Sequence, residues 1–250
     1  MSFWARCAVL IPAHNEEAAV AGAVAESRRL GCGLVVVVEN GSTDRTAEVA
    51  RAAGAEVLQL PQAGYGHAVA AGQAVLAGTW DWTLVVSADG SDAFAPGEAD
   101  RWEAAAAGAD LVLGDRTAEA SSRAHLTPPQ LWGSRLFSAV VRVVWGHCFQ
   151  DMGSRRLIRN RRWPELPLRE FQFGWNAEMQ IAALEAGWTI TELPASYHPR
   201  RQGESKISGN WRGTWRASLG ILRCLGRLCW RYRLGASAAA RQPHPSETCT

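Results

Sequence analysis

The stretch Thr83-Leu-Val-Val-Ser-Ala-Asp-Gly-Ser-Asp92 decides the fold. Its apolar run, Leu84 to Val86, reads as a strand buried on both faces, as in a parallel sheet covered by helices. The run breaks into the small and acidic residues Ser87, Ala88, Asp89, Gly90, Ser91 and Asp92. In open α/β sheets ligands sit outside the carboxyl ends of the strands. A carboxylate there, on a short turn beside a glycine, suits a divalent cation holding a diphosphate, and hard oxygen ligands suit Mg²⁺ or Mn²⁺. The competing reading is that Asp89 and Asp92 cap a turn or the next helix. This stretch alone leaves both open.

Working outward, the N-terminal side repeats the same unit. Cys7 to Ile11 is an apolar strand stopped by Pro12, and Asn15 is an N-cap candidate for a helix from Glu16 to about Leu30. Leu34 to Val38 is a β-branched strand. The turn Glu39 to Thr46 feeds a helix through Ala53, and Ala55 to Leu58 is a third strand. Gly64 opens an alanine-rich helix to about Ala77. Beyond Asp92, Glu98 to Ala107 is helical and Asp110 to Leu113 is a strand ending in Gly114-Asp-Arg116. Strands alternating with helices of this length predict a mostly parallel α/β sheet with helices on both faces.

The alternation fades after Arg116. Residues 117 to 130 read as a long loop, with a helix from about Leu131 to Trp145. A polar turn at Gln150 to Gly153, a strand over Arg156 to Ile158, a helix over Trp175 to Ala186 and a strand over Thr189 to Leu193 follow. The last helix runs from Asn210 to about Tyr232. Trp211, Trp215, Leu222 and Leu225 form one stripe, beside Arg212, Arg216, Arg223 and Arg227. A basic amphipathic helix with tryptophan suits a membrane interface, and a surface helix packed on its own domain is the alternative.

A net charge of +2 gives no basis for wholesale nucleic-acid binding. Arginines nevertheless crowd Arg155 to Arg169 and Arg200 to Arg233, pointing to an anionic ligand or surface near the C-terminal half. The six cysteines show no metal-finger spacing and no signal peptide precedes them, so reduced thiols in a cytoplasmic protein are expected. No run of about 18 uncharged apolar residues offers a membrane span.

The motifs VLIPAHNEE (Val9 to Glu17), VVVENGSTDRT (Val36 to Thr46), GYGHAVAAG (Gly64 to Gly72), VVSADGSD and LVLGDR resemble family 2 glycosyltransferases of the GT-A fold. TPPQLWGSRL, QDMGSRRLIR, FGWNAEMQIAALEAGW and PRRQGESKISG narrow the likeness to the bacterial branch related to dolichyl-phosphate mannose synthases. The resemblance covers nearly all of residues 7 to 215. It implies a nucleotide-sugar-binding half (1–116) followed by an acceptor-binding half (117–208); with the amphipathic helix (209–232) these are expected to form one domain over 1–232, and the terminal residues 233–250 read as a disordered tail. The activity implied is inverting, metal-dependent transfer from a UDP- or GDP-sugar to an acceptor, above all a polyprenyl phosphate at the inner face of the cell membrane.

The resemblance also assigns residues. Pro12, Ala13, Asn15 and Glu17 follow the first strand where a nucleoside lies. Glu39 and Asn40 stand where the family usually has two aspartates, and Glu39 can accept from a base N–H or ribose hydroxyl. Gly66 allows close backbone approach, and His67 replaces a frequent lysine. Asp89, beside Ala88, matches the last carboxylate of the Asp-x-Asp metal motif. Ser87 replaces the first, and losing one anionic oxygen is expected either to weaken metal affinity or to move the burden to Asp92, Ser91 and water. Arg116 ends a donor-side strand. Arg200, Ser205 and Lys206 match the family's phosphate-binding loop. Asp151 and Glu178 are the candidates for base or acceptor-positioning residue, Arg156 for an acceptor phosphate, and Trp175, with Phe171 and Phe173, for a sugar platform.

A glycosyltransferase acting on a soluble acceptor, and a catalytically weak nucleotide-sugar-binding homologue suggested by Ser87, are the alternatives. A sugar-1-phosphate nucleotidyltransferase would want a glycine- and lysine-rich loop after the first strand, and Pro12-Ala-His-Asn15 is not one.

Overall fold

Residues 2–172, 174–199 and 211–235 are described by a computed structural model, the last helix with side chains from 219 to 232. Among them, β1 (Cys7–Ala13), β2 (Leu34–Asn40), β3 (Glu56–Leu60), β4 (Trp82–Val85), β5 (Leu111–Asp115), β6 (Arg156–Arg159) and β7 (Ile190–Pro194) form one sheet. Its order is β3-β2-β1-β4-β6-β5-β7. All neighbours are parallel except β6, which runs antiparallel to both β4 and β5.

The helices are α1 (Val20–Arg29), α2 (Thr46–Ala52), α3 (Tyr65–Leu76), α4 (Glu98–Ala106), α5 (Ala120–Arg123), α6 (Pro128–Trp145), α7 (Trp175–Glu185) and α8 (Trp211–Gly235). Successive strand residues point to opposite faces. Leu10, Val36, Val38, Val85, Leu111 and Ile158 therefore pack with residues of α3, α6, α7 and α8. Val9, Ile11, Val35, Val37, Leu84 and Leu157 pack with residues of α1, α2 and α4 on the other side. This two-sided burial is what the uninterrupted apolar runs require.

Several boundaries differ from the sequence reading for physical reasons. β1 continues through Pro12 to Ala13. Leu10 O accepts from Val86 N–H, so even positions of β1 face β4, whose pairing ends at Leu10. Pro12 thus points where no ladder partner needs its missing donor. α1 starts at Val20 rather than Glu16, and Asn15 is not its N-cap. Asn15 sits instead at φ 51°, its side chain committed to the neighbouring loop. The stretch 117–130 is not a bare loop: it holds α5 and the first turn of α6, which starts at Pro128 with Gln130 Oε1 accepting from Thr127 N–H.

The stripe read along α8 is also displaced. Cys224, Leu225 and Leu228 are buried in the core cluster shared with α6 and α7, while Leu222 is exposed. Arg227 pairs with Glu170 and Glu178, and Arg231 with Glu185. The side chains of Trp211, Arg212, Trp215 and Arg216 lie outside the described residues. Cys7 and Cys224 are buried thiols pushed up to about 12 by burial. Cys148 is disulfide-bonded, against the expectation of six reduced thiols, because spacing along a chain does not say which sulfurs meet.

One close approach ties the halves together. A Cβ on Gly66 would lie 2.7 Å from Phe171 Cα and 2.8 Å from Glu170 O. His67 N–H donates to Phe171 O, and the two rings stack with centroids 4.6 Å apart. Gly66→Ala should therefore push the 170–172 segment off α3 and cost about 1–3 kcal/mol, read as a lower midpoint in chemical denaturation.

Candidate functional site

Strand order changes direction between β1 and β4, since the chain builds β1, β2 and β3 outward on one side before returning to β4 on the other. Such switch points open a crevice at the carboxyl ends of the strands. Pro12 and Ala13 end β1, Glu39 and Asn40 end β2, and Asp89 follows β4, so the sheet gathers these candidates at one edge.

The first two loops are stitched to each other. Asn15 Oδ1 accepts from Thr43 N–H at 2.7 Å, and Asn15 N–H donates to Ser42 Oγ at 2.9 Å. Glu16 N–H donates to Thr46 Oγ1, and Glu17 Oε2 accepts from Arg45 N–H at 3.0 Å. Asn40 Nδ2 donates to Gly64 O at 2.9 Å. Glu39 is buried and accepts from Ser42 N–H and from Gln59 Nε2. Burial pushes its carboxyl up, but the Ser42 and Gln59 hydrogen bonds outweigh this and hold it below the usual range. The result is an ionised carboxylate held in place at the end of β2, with acceptor capacity only and no donor.

After β4, two carboxylates are held by hydroxyls and backbone. Asp89 Oδ1 accepts from Ser91 N–H at 3.0 Å and Ser91 Oγ at 2.6 Å. Asp92 Oδ2 accepts from Ser87 N–H at 2.8 Å and Ser154 Oγ at 2.7 Å. Ser87, standing where the family's first aspartate would be, hydrogen-bonds Ser154 Oγ at 3.1 Å. Asp92 Oδ1 is buried with no hydrogen-bond partner. Among the described residues no group of three or more His, Cys, Asp or Glu side chains gathers as a ligand set. Mg²⁺ and Mn²⁺ need less, because such ions take one or two carboxylates and leave the rest to water and substrate phosphate. Hard carboxylate oxygens at Asp89 and Asp92, one of them orphaned, fit that requirement.

The acceptor half enters through β6. Because β6 is antiparallel, its first residue, Arg156, lies beside Val85 and Leu113 near the outgoing ends of β4 and β5. The turn before it therefore reaches the crevice. Asp151 is buried and grips Arg116, with Nε at 2.6 Å and Nη2 at 3.0 Å. Ser134 Oγ of α6 donates to Asp151 Oδ1 at 2.6 Å. Burial pushes the Asp151 carboxyl up, but Arg116 outweighs it and holds the pair ionised. Arg116 also stacks over Tyr197 at 5.1 Å.

Several expected roles change here. Both Asp151 oxygens are engaged, so the carboxylate positions Arg116 and has no lone pair aimed at a substrate proton. Glu178 is likewise enclosed: its Oε2 accepts from Arg169 N–H at 2.8 Å and Glu170 N–H at 2.6 Å, and Arg227 lies at 3.5 Å from Oε1. Trp175 is fully buried, beneath the Arg156 guanidinium at 5.1 Å and edge-on to Tyr65, so it floors the site and is no sugar platform. Arg156 is fully buried too, donating to Gly153 O at 2.5 Å and Ser154 O at 3.2 Å. It secures the turn from below and does not reach an acceptor directly. Phe171 is partly exposed on His67, whereas Phe173, Arg200, Ser205 and Lys206 lie outside the described residues.

Sequence reasoning missed Ser134, Ser154, Tyr65 and Glu192. Tyr65 Oη is buried without a partner and its pKa is pushed up to about 12 by burial. Glu192 of β7 accepts from Gln150 N–H at 3.0 Å and so holds the Asp151 turn. Nothing in one sequence pairs a serine on α6 with an aspartate 17 positions on.

Two outcomes follow from this geometry. Asp151→Asn strands the buried Arg116 charge and should lower stability by about 3–5 kcal/mol in chemical denaturation; a carboxylate acting only as a base would leave stability unchanged. Burial pushes Glu192 from 4.5 up to about 8. The folded state then holds a proton that the unfolded state releases, so stability should fall as pH rises from about 4.5 to about 8. Glu192→Gln should flatten the thermal-midpoint profile in that window.

Comparisons with known proteins agree with this architecture. Residues 8–167 match the family described as glycosyl transferase family 2. An uncharacterized glycosyltransferase of Mycobacterium tuberculosis is 37% identical over 211 residues, covering 82% of this chain and 91% of the relative. A dolichyl-phosphate hexose transferase of Haloferax volcanii is 32% identical over 210 residues, covering 80% and 86%. Glucosyl-3-phosphoglycerate synthase of Mycobacterium tuberculosis, solved in complex with UDP, is similar with a TM-score of 0.69 at 18% identity, over 90% of this chain and 80% of that one. The same synthase with Mn²⁺, UDP and phosphoglyceric acid gives 0.66 at 17% identity, over 89% of this chain and 78% of that one. At such identity the likeness speaks for the fold alone, which is GT-A. The chain belongs to glycosyl transferase family 2 and is a glycosyltransferase.

Proposed function

We propose that this chain moves a sugar, with inversion, from a UDP- or GDP-sugar to a polyprenyl phosphate. The observation that carries the acceptor class is the closure of Asp151, whose two oxygens are spent on Arg116, Ser134 and the Met152 N–H, while Glu178 is buried with Oε2 held by two backbone N–H groups and Oε1 facing Arg227 at 3.5 Å. A hydroxyl acceptor needs a general base, whereas a phosphate arrives ionised and needs none. The dolichyl-phosphate hexose transferase among the relatives supports the same class.

In this reading the nucleoside lies against Pro12, Ala13, Asn15, Glu17, Glu39 and Asn40, with Gly66 and His67 closing the pocket. A phosphate oxygen of the acceptor attacks the anomeric carbon from the face opposite the diphosphate. The bond from that carbon to the diphosphate oxygen breaks, and the nucleoside diphosphate leaves with the electron pair. Arg116, held rigid by Asp151, supplies fixed positive charge on the acceptor side at low reorganisation cost. Asp89, Asp92 and Ser91 would hold Mg²⁺ or Mn²⁺, which when bound neutralises charge on the leaving diphosphate. Arg200, Ser205 and Lys206 are assigned to the donor phosphates from sequence alone. No helix among the described residues is long and apolar enough to cross a membrane, so the acceptor would be met at the cytoplasmic surface by peripheral contact.

Incubation with radiolabelled UDP- and GDP-sugars and a polyprenyl phosphate in detergent should place label in the organic phase. Asp89→Ala should lower that transfer about a hundredfold or more. Label confined to an aqueous acceptor would replace this reading with a soluble-acceptor transferase, and unchanged transfer in Asp89→Ala would remove the metal assignment.

A further inference from the structure

We propose that Ser87, Ser154 and Asp92 act as one unit that restores the carboxylate missing from position 87, with Ser154 as the residue that positions Asp92 for a divalent cation. This rests on the metal-dependent donor reading above. It draws into that reading a residue from the far half of the chain, one that touches the carboxylate and not the ion.

The register of the sheet makes the unit. β4 and β6 are antiparallel, with Val85 opposite Arg156. Continued past the end of β4, the same register sets Ser87 opposite Ser154. Their hydroxyls meet: Ser87 Oγ donates to Ser154 Oγ at 3.1 Å. Ser154 Oγ gives its own proton to Asp92 Oδ2 at 2.7 Å. Gly90, at φ 74°, turns the chain back after Asp89, and Asp92 Oδ2 also accepts from Ser87 N–H at 2.8 Å. The Asp92 carboxylate therefore lies one hydrogen bond from the backbone of residue 87. A negative charge absent from the side chain at 87 is supplied beside it from five positions further on.

The way Asp92 is held separates a cation ligand from a turn cap. A capping aspartate spends both oxygens on local donors, as Asp44 does with Thr46 N–H at Oδ1 and Glu17 N–H at Oδ2. At Asp92 both donors converge on Oδ2, while Oδ1 is buried with no hydrogen-bond partner and the residue is 4% exposed. A carboxylate oxygen left in that state is costly, and a cation removes the cost. Asp89 is buried beside it, with Oδ1 accepting from Ser91. Two carboxylates, with the other positions left to water and phosphate, are a coordination that Mg²⁺ and Mn²⁺ take. Outer partners such as Ser154 fix the orientation of a ligand and so set metal affinity. The turn that carries Asp151 thereby also holds part of the cation site.

The test is Mn²⁺ titration of the full chain with UDP or GDP present, read from the electron paramagnetic resonance signal of free Mn²⁺, with a thermal midpoint recorded for each variant. Ser154→Ala should weaken Mn²⁺ binding about tenfold, whereas Ser154→Thr, which keeps the hydroxyl, should bind as the wild type does. Asp92→Asn keeps an acceptor for Ser87 N–H and Ser154 Oγ, so the turn stays closed while Mn²⁺ binding falls about tenfold or more. Ser87→Asp/Asp92→Asn returns the carboxylate to position 87 and should recover most of what Asp92→Asn loses. Mn²⁺ binding unchanged in Asp92→Asn and Ser154→Ala, yet abolished in Asp89→Ala, reduces Asp92 to a turn cap and overturns the proposal. So does a double variant that keeps the wild-type midpoint and recovers no Mn²⁺ binding. A wild type that binds no Mn²⁺ with either nucleotide overturns the proposal together with the metal assignment. Mn²⁺ binding that follows Asp92 and Ser154 while no lipid-linked product forms leaves the unit standing and removes only the acceptor reading.

Discussion

The site depends on one strand running the wrong way. β6 is inserted antiparallel between β4 and β5, in a sheet otherwise built from parallel neighbours. A parallel strand there would begin at the far edge of the sheet. Reversal places the beginning of β6, and the turn before it, at the edge where β1, β2, β4 and β5 end. Ser154 then meets Asp92 and Ser87, and Asp151 meets Arg116. Residues from the two halves of the chain meet at one edge of the sheet because of this register.

Charge buried at that junction is costly unless paired, and most of it is met by a carboxylate or by backbone carbonyls. Arg116 and Asp151 form a two-pronged contact with Ser134 as an added donor. Behind them Arg155 pairs with the buried Glu98 while lying over the Phe94 ring at 4.4 Å. Arg156, with no carboxylate partner at ion-pair distance among the described residues, gives its donors to the carbonyls of Gly153 and Ser154. Three consecutive roles thus fall to one short segment: closing the turn, bracing the sheet and flooring the site. Such pairing fixes the charge rigidly in place.

The inner residues of the helical layer on the α3 side complete the core against Leu10, Val85, Leu111 and Ile158. Arg227 and Arg231 are tied to Glu170, Glu178 and Glu185 at the inner rim of α8. The segment carrying Glu170 also stacks Phe171 on His67, so α8 is linked through it to α3.

The sequence by itself determined the alternating α/β architecture, because runs such as Leu34 to Val38 and Leu84 to Val86 can only be satisfied by a sheet covered on both faces. It also located the strand ends at Glu39 and Asp89, since strands stop where small and acidic residues begin. Motif order revealed the family. Tertiary structure alone decided which side chains face each other. Asp151 and Glu178 read as available carboxylates until Arg116, Ser134 and the 169–170 backbone are seen to enclose them. Trp175 reads as a platform until Arg156 and Tyr65 cover it. Leu222 reads as one stripe with Leu225 until the inner stripe of α8 proves to be 224, 225 and 228, with Leu222 outside it. Periodicity reports that a residue has a buried or exposed side, whereas its partner is set by contacts between distant segments, which local sequence does not encode.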